Sequence, residues 1–244
     1  MARRGDARPV KAPPRLCLPG SLVHQAMSKW AVLQWLEPEI TLGRTFWPEV
    51  FSAFTMLLPA LHGSNLAADL ASGAAFPQGV WVLLYGAIFH CPVSMAYHLS
   101  NAVLEGTAGH DVMLTPFRTA DLTAIHLCCI AFGWAESYGD ILYTLALTVL
   151  NLICIFALLH DLASGRRGGQ HEVHRVAVAV FLYTLPVLLR GDCWNYLGIA
   201  VSWILAAAFQ MISPKIGGWG HGLFHMMLVP YFHFLMHGVA SAGQ

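Results

Sequence analysis

Seven mainly apolar stretches, separated by short polar segments, make up most of this chain. They lie at about 50–64, 79–100, 119–137, 141–160, 173–190, 193–212 and 219–240. A helix needs about 20 mainly apolar residues to cross a bilayer, and the fourth and sixth stretches meet this requirement without interruption. The pattern predicts an all-α integral membrane protein, a seven-helix bundle within residues 46–244. Six spans are the alternative, because the first stretch is short.

Composition indicates a protein solvated mainly by lipid. Hydrophobic residues make up 57% of the 244 residues and charged residues 11%, whereas a soluble domain carries about 25% charged residues. The formal net charge is +0 and no basic patch occurs beyond the N-terminal segment, so nucleic-acid binding has no support. The lipid bilayer is therefore the expected surroundings, and the composition leaves the oligomeric state open.

The distribution of lysine and arginine predicts an orientation. Residues 1–45 are basic and contain prolines, and they lack the apolar core of a signal peptide, which favours a disordered cytosolic tail. With seven spans, twelve Lys and Arg residues fall on the side of this tail and only Arg190 falls on the other. The positive-inside rule then puts the N-terminus in the cytosol and the C-terminus on the lumenal or extracellular side.

Histidines inside apolar stretches are the candidate chemistry. His221 and His225 are four residues apart, as are Ser94 and His98, so each pair shares one helix face about one turn apart. Two histidines so spaced can bind one metal ion, and a third from another helix would complete a site. Three protein ligands and one open position are typical of catalytic zinc. Ionisable groups within a span are functional candidates by default.

The predicted topology brings these residues to one end of the bundle. The second span ends near His98, the third begins near Asp121, and the seventh begins near His221 and His225. All of these positions fall on the cytosolic side when seven spans are counted. The sequence therefore predicts one polar site, built from three helices, in one leaflet.

These residues resemble the superfamily of seven-span membrane proteins that contains the alkaline ceramidases, the progestin and adiponectin receptors and the hemolysin III proteins. The family pattern is a serine four residues before a histidine on span 2, an aspartate opening span 3, and H-x-x-x-H on span 7. Here the corresponding segments are SMAYH at 94–98, FRTADLTAI at 117–125 and HGLFH at 221–225. Their flanking residues are most similar to the adiponectin-receptor and hemolysin III branch.

The resemblance implies a zinc-dependent intramembrane lipid hydrolase that cleaves a ceramide-like amide or an ester with a zinc-bound water. His98, His221 and His225 would be the zinc ligands. Asp121 would orient or deprotonate the water, and Ser94 would donate a hydrogen bond to the water or to the developing oxyanion. A membrane lipid would be the substrate or ligand.

Several alternatives stay open at this point. Three histidines and a water also suit iron or manganese. Asp121 could be a helix N-cap, Asp111 is a competing carboxylate, and Ser94 could bond its own backbone. A receptor of the progestin or adiponectin type would carry the same residues without hydrolysis. A membrane-remodelling protein could retain zinc as a structural pin.

The remaining histidines are expected to have no metal role. His90 continues the face of Ser94 and His98 but lies deeper, as a packing or cavity residue. His233 and His237 repeat the four-residue spacing, and Pro230 is expected to interrupt the helix between them and the first pair.

Overall fold

A computed structural model describes residues 46–104, 115–166 and 170–241. All regular secondary structure within these ranges is helical, which confirms the all-α prediction for them. The predicted tail at 1–45 and the alternative carboxylate Asp111 lie outside the described residues. The helices are α1 (Phe46–Thr55), α2 (Leu57–Gly73), α3 (Pro77–Leu104), α4 (Pro116–Glu136), α5 (Ile141–Ala163), α6 (Gln170–Leu189), α7 (Cys193–Ile212), a 3-10 turn (Ser213–Ile216) and α8 (Trp219–Ala240).

Among the described residues, five helical segments are long and apolar enough to cross a membrane, which indicates a multi-pass membrane protein. They are Pro77–Leu104, Ile141–Ala163, His171–Leu189, Cys193–Ile216 and Trp219–Ala240. The count of seven spans is not supported by this criterion. The first predicted span is divided between α1 and α2, and the third corresponds to α4, which contains Arg118, Asp121 and Glu136.

The division between α1 and α2 has a local cause. Pro59 has no N–H to donate to the carbonyl of Thr55, so the helical hydrogen-bond pattern fails at Met56. The Thr55 hydroxyl turns back and donates to the carbonyl oxygens of Phe51 and Ser52, at 3.1 and 2.9 Å. The last turn of α1 therefore stays closed beside α8.

Three helices begin at residues whose side chains accept from the first turn. Thr115 accepts from the Arg118 amide at 3.1 Å and precedes a proline, the favoured first residue of a helix. Asp140 accepts from the Tyr143 amide at 2.9 Å, and Asp192 accepts from the Asn195 amide at 3.2 Å. These caps fix the starts of α4, α5 and α7.

Helix α8 is the centre of the bundle. It packs against α1, α2, α3 and α7 and also touches α4 and α6. Leu235, Met236 and Val239 of α8 are fully buried. Outer helices instead expose large apolar side chains, such as Leu142 on α5 at 80% and Trp194 on α7 at 74%, as a lipid-facing surface requires.

The expected interruption of the last helix at Pro230 is wrong. Helix α8 runs without a break from Trp219 to Ala240 and contains Pro230 in its interior. A proline removes one backbone hydrogen bond, and membrane helices tolerate this loss where neighbouring helices pack around them. Both histidine pairs of α8 consequently belong to a single helix.

Candidate metal centre

Three histidine side chains from two helices meet inside the bundle. His98, near the end of α3, and His221 and His225, in the first two turns of α8, each offer one ring nitrogen within 4.8 Å of the others. His98 and His225 are buried at 0% and 3% exposure, whereas His221 is partly exposed. The three histidines predicted from the sequence are therefore brought together.

Glycines allow the close approach that forms this cluster. A Cβ atom on Gly222 would lie 2.2 Å from Cδ1 of Phe51, so a side chain there would push α1 away from α8. A Cβ atom on Gly220 would lie 2.3 Å from the Phe209 carbonyl oxygen. Both glycines flank His221, and their small size brings α1 and α7 against this histidine's turn of α8.

The outward ring nitrogen of each histidine has an acceptor. The Nδ1 atom of His98 lies 2.7 Å from Oε2 of Glu49, and that of His225 lies 2.9 Å from the Ser52 carbonyl oxygen. The Nδ1 atom of His221 is hydrogen-bonded to Oε1 of Gln210. Carboxylate, carbonyl and amide oxygens accept, so each Nδ1 carries the proton and donates it.

This hydrogen-bonding pattern fits a bound metal ion. With Nδ1 protonated, the Nε2 atoms of the neutral rings carry lone pairs. The Nε2 atoms of His98 and His221 lie only 3.2 Å apart, where two lone pairs repel unless a cation lies between them. Two nitrogens bound to one tetrahedral zinc at about 2.0–2.1 Å are separated by about 3.3 Å. Metal-binding histidines nearly always donate the other N–H to an oxygen in this way.

Glu49 is a site residue that the sequence analysis missed. Its side chain is 4% exposed and reaches His98 from α1. A signal was present, since a carboxylate at the start of an apolar stretch needs a partner when it is buried. The partner lies 49 positions away on another helix, and no local spacing links the two residues.

The predicted carboxylate, Asp121, is buried in α4 and bonded to an unexpected partner. Its Oδ1 atom lies 3.0 Å from Nε2 of His90, and Ser94 is within hydrogen-bonding reach. The N-cap interpretation of Asp121 is wrong, because Thr115 caps α4 and Asp121 lies inside the helix. His90 is likewise more than a packing residue.

Asp121 lies close enough to His98 and His225 to interact with both electrostatically. The residues predicted from the sequence thus form two adjoining groups. One is the three-histidine cluster, and the other is the polar group of Ser94, Asp121 and His90. Both lie toward the end of the bundle where α3 ends and α4 and α8 begin.

Asn101 adds an unsatisfied polar group on the same face of α3. It is seven residues from Ser94 and three from His98, so the three side chains share one helix face. Its side chain is 1% exposed, and neither amide atom has a hydrogen-bond partner among the described residues. A buried amide without a partner costs about 1–3 kcal/mol, so this position suits the binding of a polar group.

A second group of histidines lies farther along α8. Nε2 of His62 is 3.2 Å from Nδ1 of His233, and the rings of His233 and His237 are 4.4 Å apart between centroids. Within the described residues, the cluster of His98, His221 and His225 is the one group whose ligand atoms all lie within 4.8 Å of one another. A variant of the second group therefore provides a control for variants of the three-histidine cluster in tests of metal binding.

Comparisons with family models, curated proteins and solved structures find no match to this chain.

Proposed function

We propose that this protein is a zinc-dependent hydrolase of membrane lipids, of the alkaline ceramidase type, acting on an amide or ester bond. The observation that carries the proposal is the pattern of hydrogen bonds around the three histidines. All three Nδ1 atoms face oxygen acceptors, and the Nε2 atoms of His98 and His221 face each other. Such an arrangement favours a cation between the rings.

Zinc bound by His98, His221 and His225 would keep one position open for water and lower the pKa of that water to about 7. Zinc is preferred because neutral imidazoles and a water are its usual catalytic ligands, while iron and manganese also accept nitrogen ligands.

The neighbouring polar group would handle the proton. The Glu49 carboxylate is engaged by the Nδ1 atom of His98, so Asp121, the carboxylate beside the cluster that bonds none of the three histidines, would accept the proton of the attacking water. His90, 3.0 Å from the carboxylate, would orient it and share the proton. Ser94, on the face of α3 that carries His98, would donate to the developing oxyanion. Asn101, whose amide has no partner, would bind the polar head of the lipid.

We further propose that α4 crosses the membrane although its composition is polar. Arg118 at the start of α4 pairs with Glu172 at the start of α6. Glu136 at the end of α4 lies 3.2 Å from Arg190, just beyond the end of α6. The two ion pairs are separated by the same number of residues on α4 as along α6. The two helices therefore run side by side over the same length. Because α6 has the length and hydropathy of a span, α4 would cover the same thickness.

The α1–α2 segment would cross beside α8 by the same reasoning. The Ser52 carbonyl of α1 accepts from His225, and His62 of α2 contacts His233 about two turns farther along α8. Helices α1 and α2 therefore contact α8 at two successive levels along its axis. Counting these helices gives seven spans, and the lysine and arginine distribution then favours a cytosolic N-terminus.

Metal analysis and a hydrolysis assay on the purified full chain test the function. We expect about one zinc per chain, lost in large part on His225→Ala and kept in the matched variant His237→Ala, which removes a histidine of the same helix. Asp121→Asn should retain zinc and lower the cleavage of ceramide, acyl amides and esters by about 10²–10⁴-fold. Ser94→Ala should cost less, because it removes one hydrogen bond.

Two results would contradict the proposal in different ways. Equal metal content in the parent, His225→Ala and His237→Ala would remove the metal site itself. Zinc-loaded protein that cleaves no lipid from neutral to alkaline pH would leave the site but exclude the hydrolase, favouring a receptor-like protein. Unfolding of His98→Ala together with a silent Asp121→Asn would instead favour a structural zinc.

A further inference from the structure

A groove of about 290 Å³ opens on the outer face of the bundle between α5 and α6. It lies at the end where α5 finishes and α6 begins, away from the three-histidine cluster. Six residues line it, three apolar or weakly polar and three basic: Leu150, Cys154, Val178, His171, His174 and Arg175. The two kinds of residue occupy opposite ends of the groove along the helix axes, since α6 starts at Gln170.

The basic end of the groove faces the membrane surface. His171, His174, Arg175 and Val178 follow the spacing of one face of α6. His171 and His174 are exposed, and Arg175 is partly exposed. The N-terminal turn of α6 adds the partial positive charge of its free N–H groups. The basic residues His171, His174 and Arg175 therefore form a rim at the start of a candidate span, the level at which lipid headgroups are expected.

Charges around the rim leave an excess of cations. Asp161 is shared by two arginines, Arg166 at 3.1 Å and Arg175 at 3.6 Å. Glu172 is engaged by Arg118. Three guanidinium groups thus pair with two carboxylates. His171 and His174 lie beside these ion pairs. The contact of Arg175 with Asp161 is made by Nη1 and, at 3.6 Å, is longer than a hydrogen bond.

The opposite end of the groove is apolar and open to lipid. Val178 is 50% exposed, and Cys154 forms the floor at 7% exposure. No charged side chain lines this end. The volume is near the lower limit of the about 300–1,000 Å³ of small-molecule pockets, enough for a headgroup and the first part of an acyl chain.

We propose that this groove binds an anionic phospholipid, with the phosphate on Arg175 and the histidines and an acyl chain along Val178 and Leu150. Basic pockets between membrane helices on the positively charged side are known to bind anionic headgroups. The Arg175 side chain is 31% exposed, so its guanidinium group would pair with the phosphate beside its long contact with Asp161. The site is separate from the proposed hydrolase site and does not depend on it.

Native mass spectrometry of the purified full chain tests this site. The detergent-solubilised protein is titrated with phosphatidylglycerol and with phosphatidylcholine of identical acyl chains. We expect phosphatidylglycerol to bind at least about tenfold more tightly, because a basic side chain in contact with the anionic headgroup contributes about a fivefold gain in affinity and the groove holds one arginine and two histidines. Arg175→Gln should lose about fivefold, and adding His171→Gln and His174→Gln should bring the affinity close to that for phosphatidylcholine.

Arg166→Gln is the matched control. Arg166 lies on the same membrane face and pairs with the same aspartate, but it is outside the groove, so its loss should change the affinity less than twofold. Val178→Trp should fill the apolar end and weaken phosphatidylglycerol while leaving every charge in place. Glycerol 3-phosphate, which has no acyl chain, should fail to compete.

Three outcomes would overturn the proposal. Equal affinities for the two phospholipids would remove the headgroup preference. An equal loss in Arg175→Gln and Arg166→Gln would indicate diffuse attraction to the charged surface and no defined groove. Competition by glycerol 3-phosphate at the concentration of the lipid would indicate a site for a free phosphate.

Discussion

At the scale of single residues, the partner of His98 is the contact that most needs testing. The Glu49 carboxyl group accepts from Nδ1 of this histidine, which fixes the tautomer of the ring and makes its Nε2 atom a better electron donor. Glu49→Gln keeps the shape and an acceptor oxygen but removes the charge. We expect zinc affinity to fall by about 10–100-fold, as measured by competition with a fluorescent chelator. Asp69→Asn, at an exposed acid of α2, should leave the affinity unchanged. Unaltered affinity in Glu49→Gln would show that the carboxylate has no influence on the ring.

Replacement of Asn101 is expected to stabilise the protein, whereas replacement of Glu49 is expected to weaken zinc binding. Its amide is buried without a partner, so Asn101→Leu should raise the free energy of unfolding of the purified protein by about 1–3 kcal/mol. Lipid turnover should fall if the amide binds the substrate, a trade of activity against stability. Asn151→Leu is the control, because that equally buried amide is bonded to His126 at 2.7 Å and to the Leu147 carbonyl at 2.8 Å. It should destabilise. Thermal unfolding in detergent measures both, and a destabilised Asn101→Leu would mean that the amide is satisfied.

The spacing of residues predicted the candidate site only in part. His221 and His225 share one helix face, which a four-residue spacing predicts, and the alternation of spans brought His98 beside them. Glu49 and Gln210 could not be found in this way, and although spacing placed His90 on the face of Ser94 and His98, it did not predict the contact of His90 with Asp121. Each contacts the site across a helix interface, where the partner depends on the rotation of one helix against another. Helix rotation is set by packing of the whole bundle, and no short sequence pattern contains it.

At the scale of elements, the start of α7 provides a pH-dependent contact outside the spans. Burial acts to raise the pKa of Asp192, but hydrogen bonds from Asn195 and Ser241 outweigh it, and the pKa lies below its usual range. A carboxyl group with a lowered pKa stabilises the fold fully above its unfolded value of about 3.9 and loses this contribution as the pH falls through the folded value. The contact joins the start of α7 to the end of α8.

Asp192→Asn should therefore lower the unfolding temperature near neutral pH and reduce the further fall of that temperature below about pH 4. Ser241→Ala, which removes one of the hydrogen bonds, should give an intermediate curve. Thermal unfolding from pH 7 to pH 3 provides the comparison. Parallel curves for the parent and Asp192→Asn would show that this carboxyl group contributes nothing to acid stability.

Two prolines show why helix boundaries could be predicted only in part from the sequence. Pro59 and Pro230 both follow apolar turns, yet Pro59 accompanies the division of α1 from α2 while α8 continues through Pro230. The sequence around each residue does not distinguish the two cases. Helix α8 is packed against several helices along its length, whereas α1 ends at Thr55, one turn beyond the Ser52 carbonyl that accepts from His225. Tertiary packing decided the outcome.

At the scale of the whole molecule, the polar helix α4 is bound to α6 by an ion pair at each of its two ends. The pairs Arg118–Glu172 and Glu136–Arg190 tie α4 to α6, and Arg190 also lies 4.3 Å from the ring centre of Tyr138. Hydropathy along the chain would miss a spanning helix of this kind, because its charged side chains are satisfied by partners inside the bundle. If α4 crosses the membrane as proposed, a count of spans from composition alone is too low, and the predicted side of the α3–α4 connection changes with it.

The number of spans can be tested by accessibility. With seven spans, the N-terminus, the α3–α4 connection and the α5–α6 connection lie on the same side, which the positive-inside rule makes the cytosol. With the five spans of highest hydropathy alone, the α3–α4 connection moves to the opposite side from the other two. The C-terminus lies opposite the N-terminus in both cases, so tags at the two ends cannot distinguish them.

Short epitope tags inserted after Gly109 and after Gly165 make the distinction. Gly165 suits an insertion, because a Cβ atom there would meet no other atom within 4 Å. We expect both tags and an N-terminal tag to be reached by antibody after selective permeabilisation of the plasma membrane, and a C-terminal tag to stay protected or be reached from outside. A Gly109 tag on the side opposite the Gly165 tag would mean that α4 does not cross. That result would contradict the inference drawn from the two ion pairs, because a helix bound to both ends of the α6 span must cover the thickness that α6 covers.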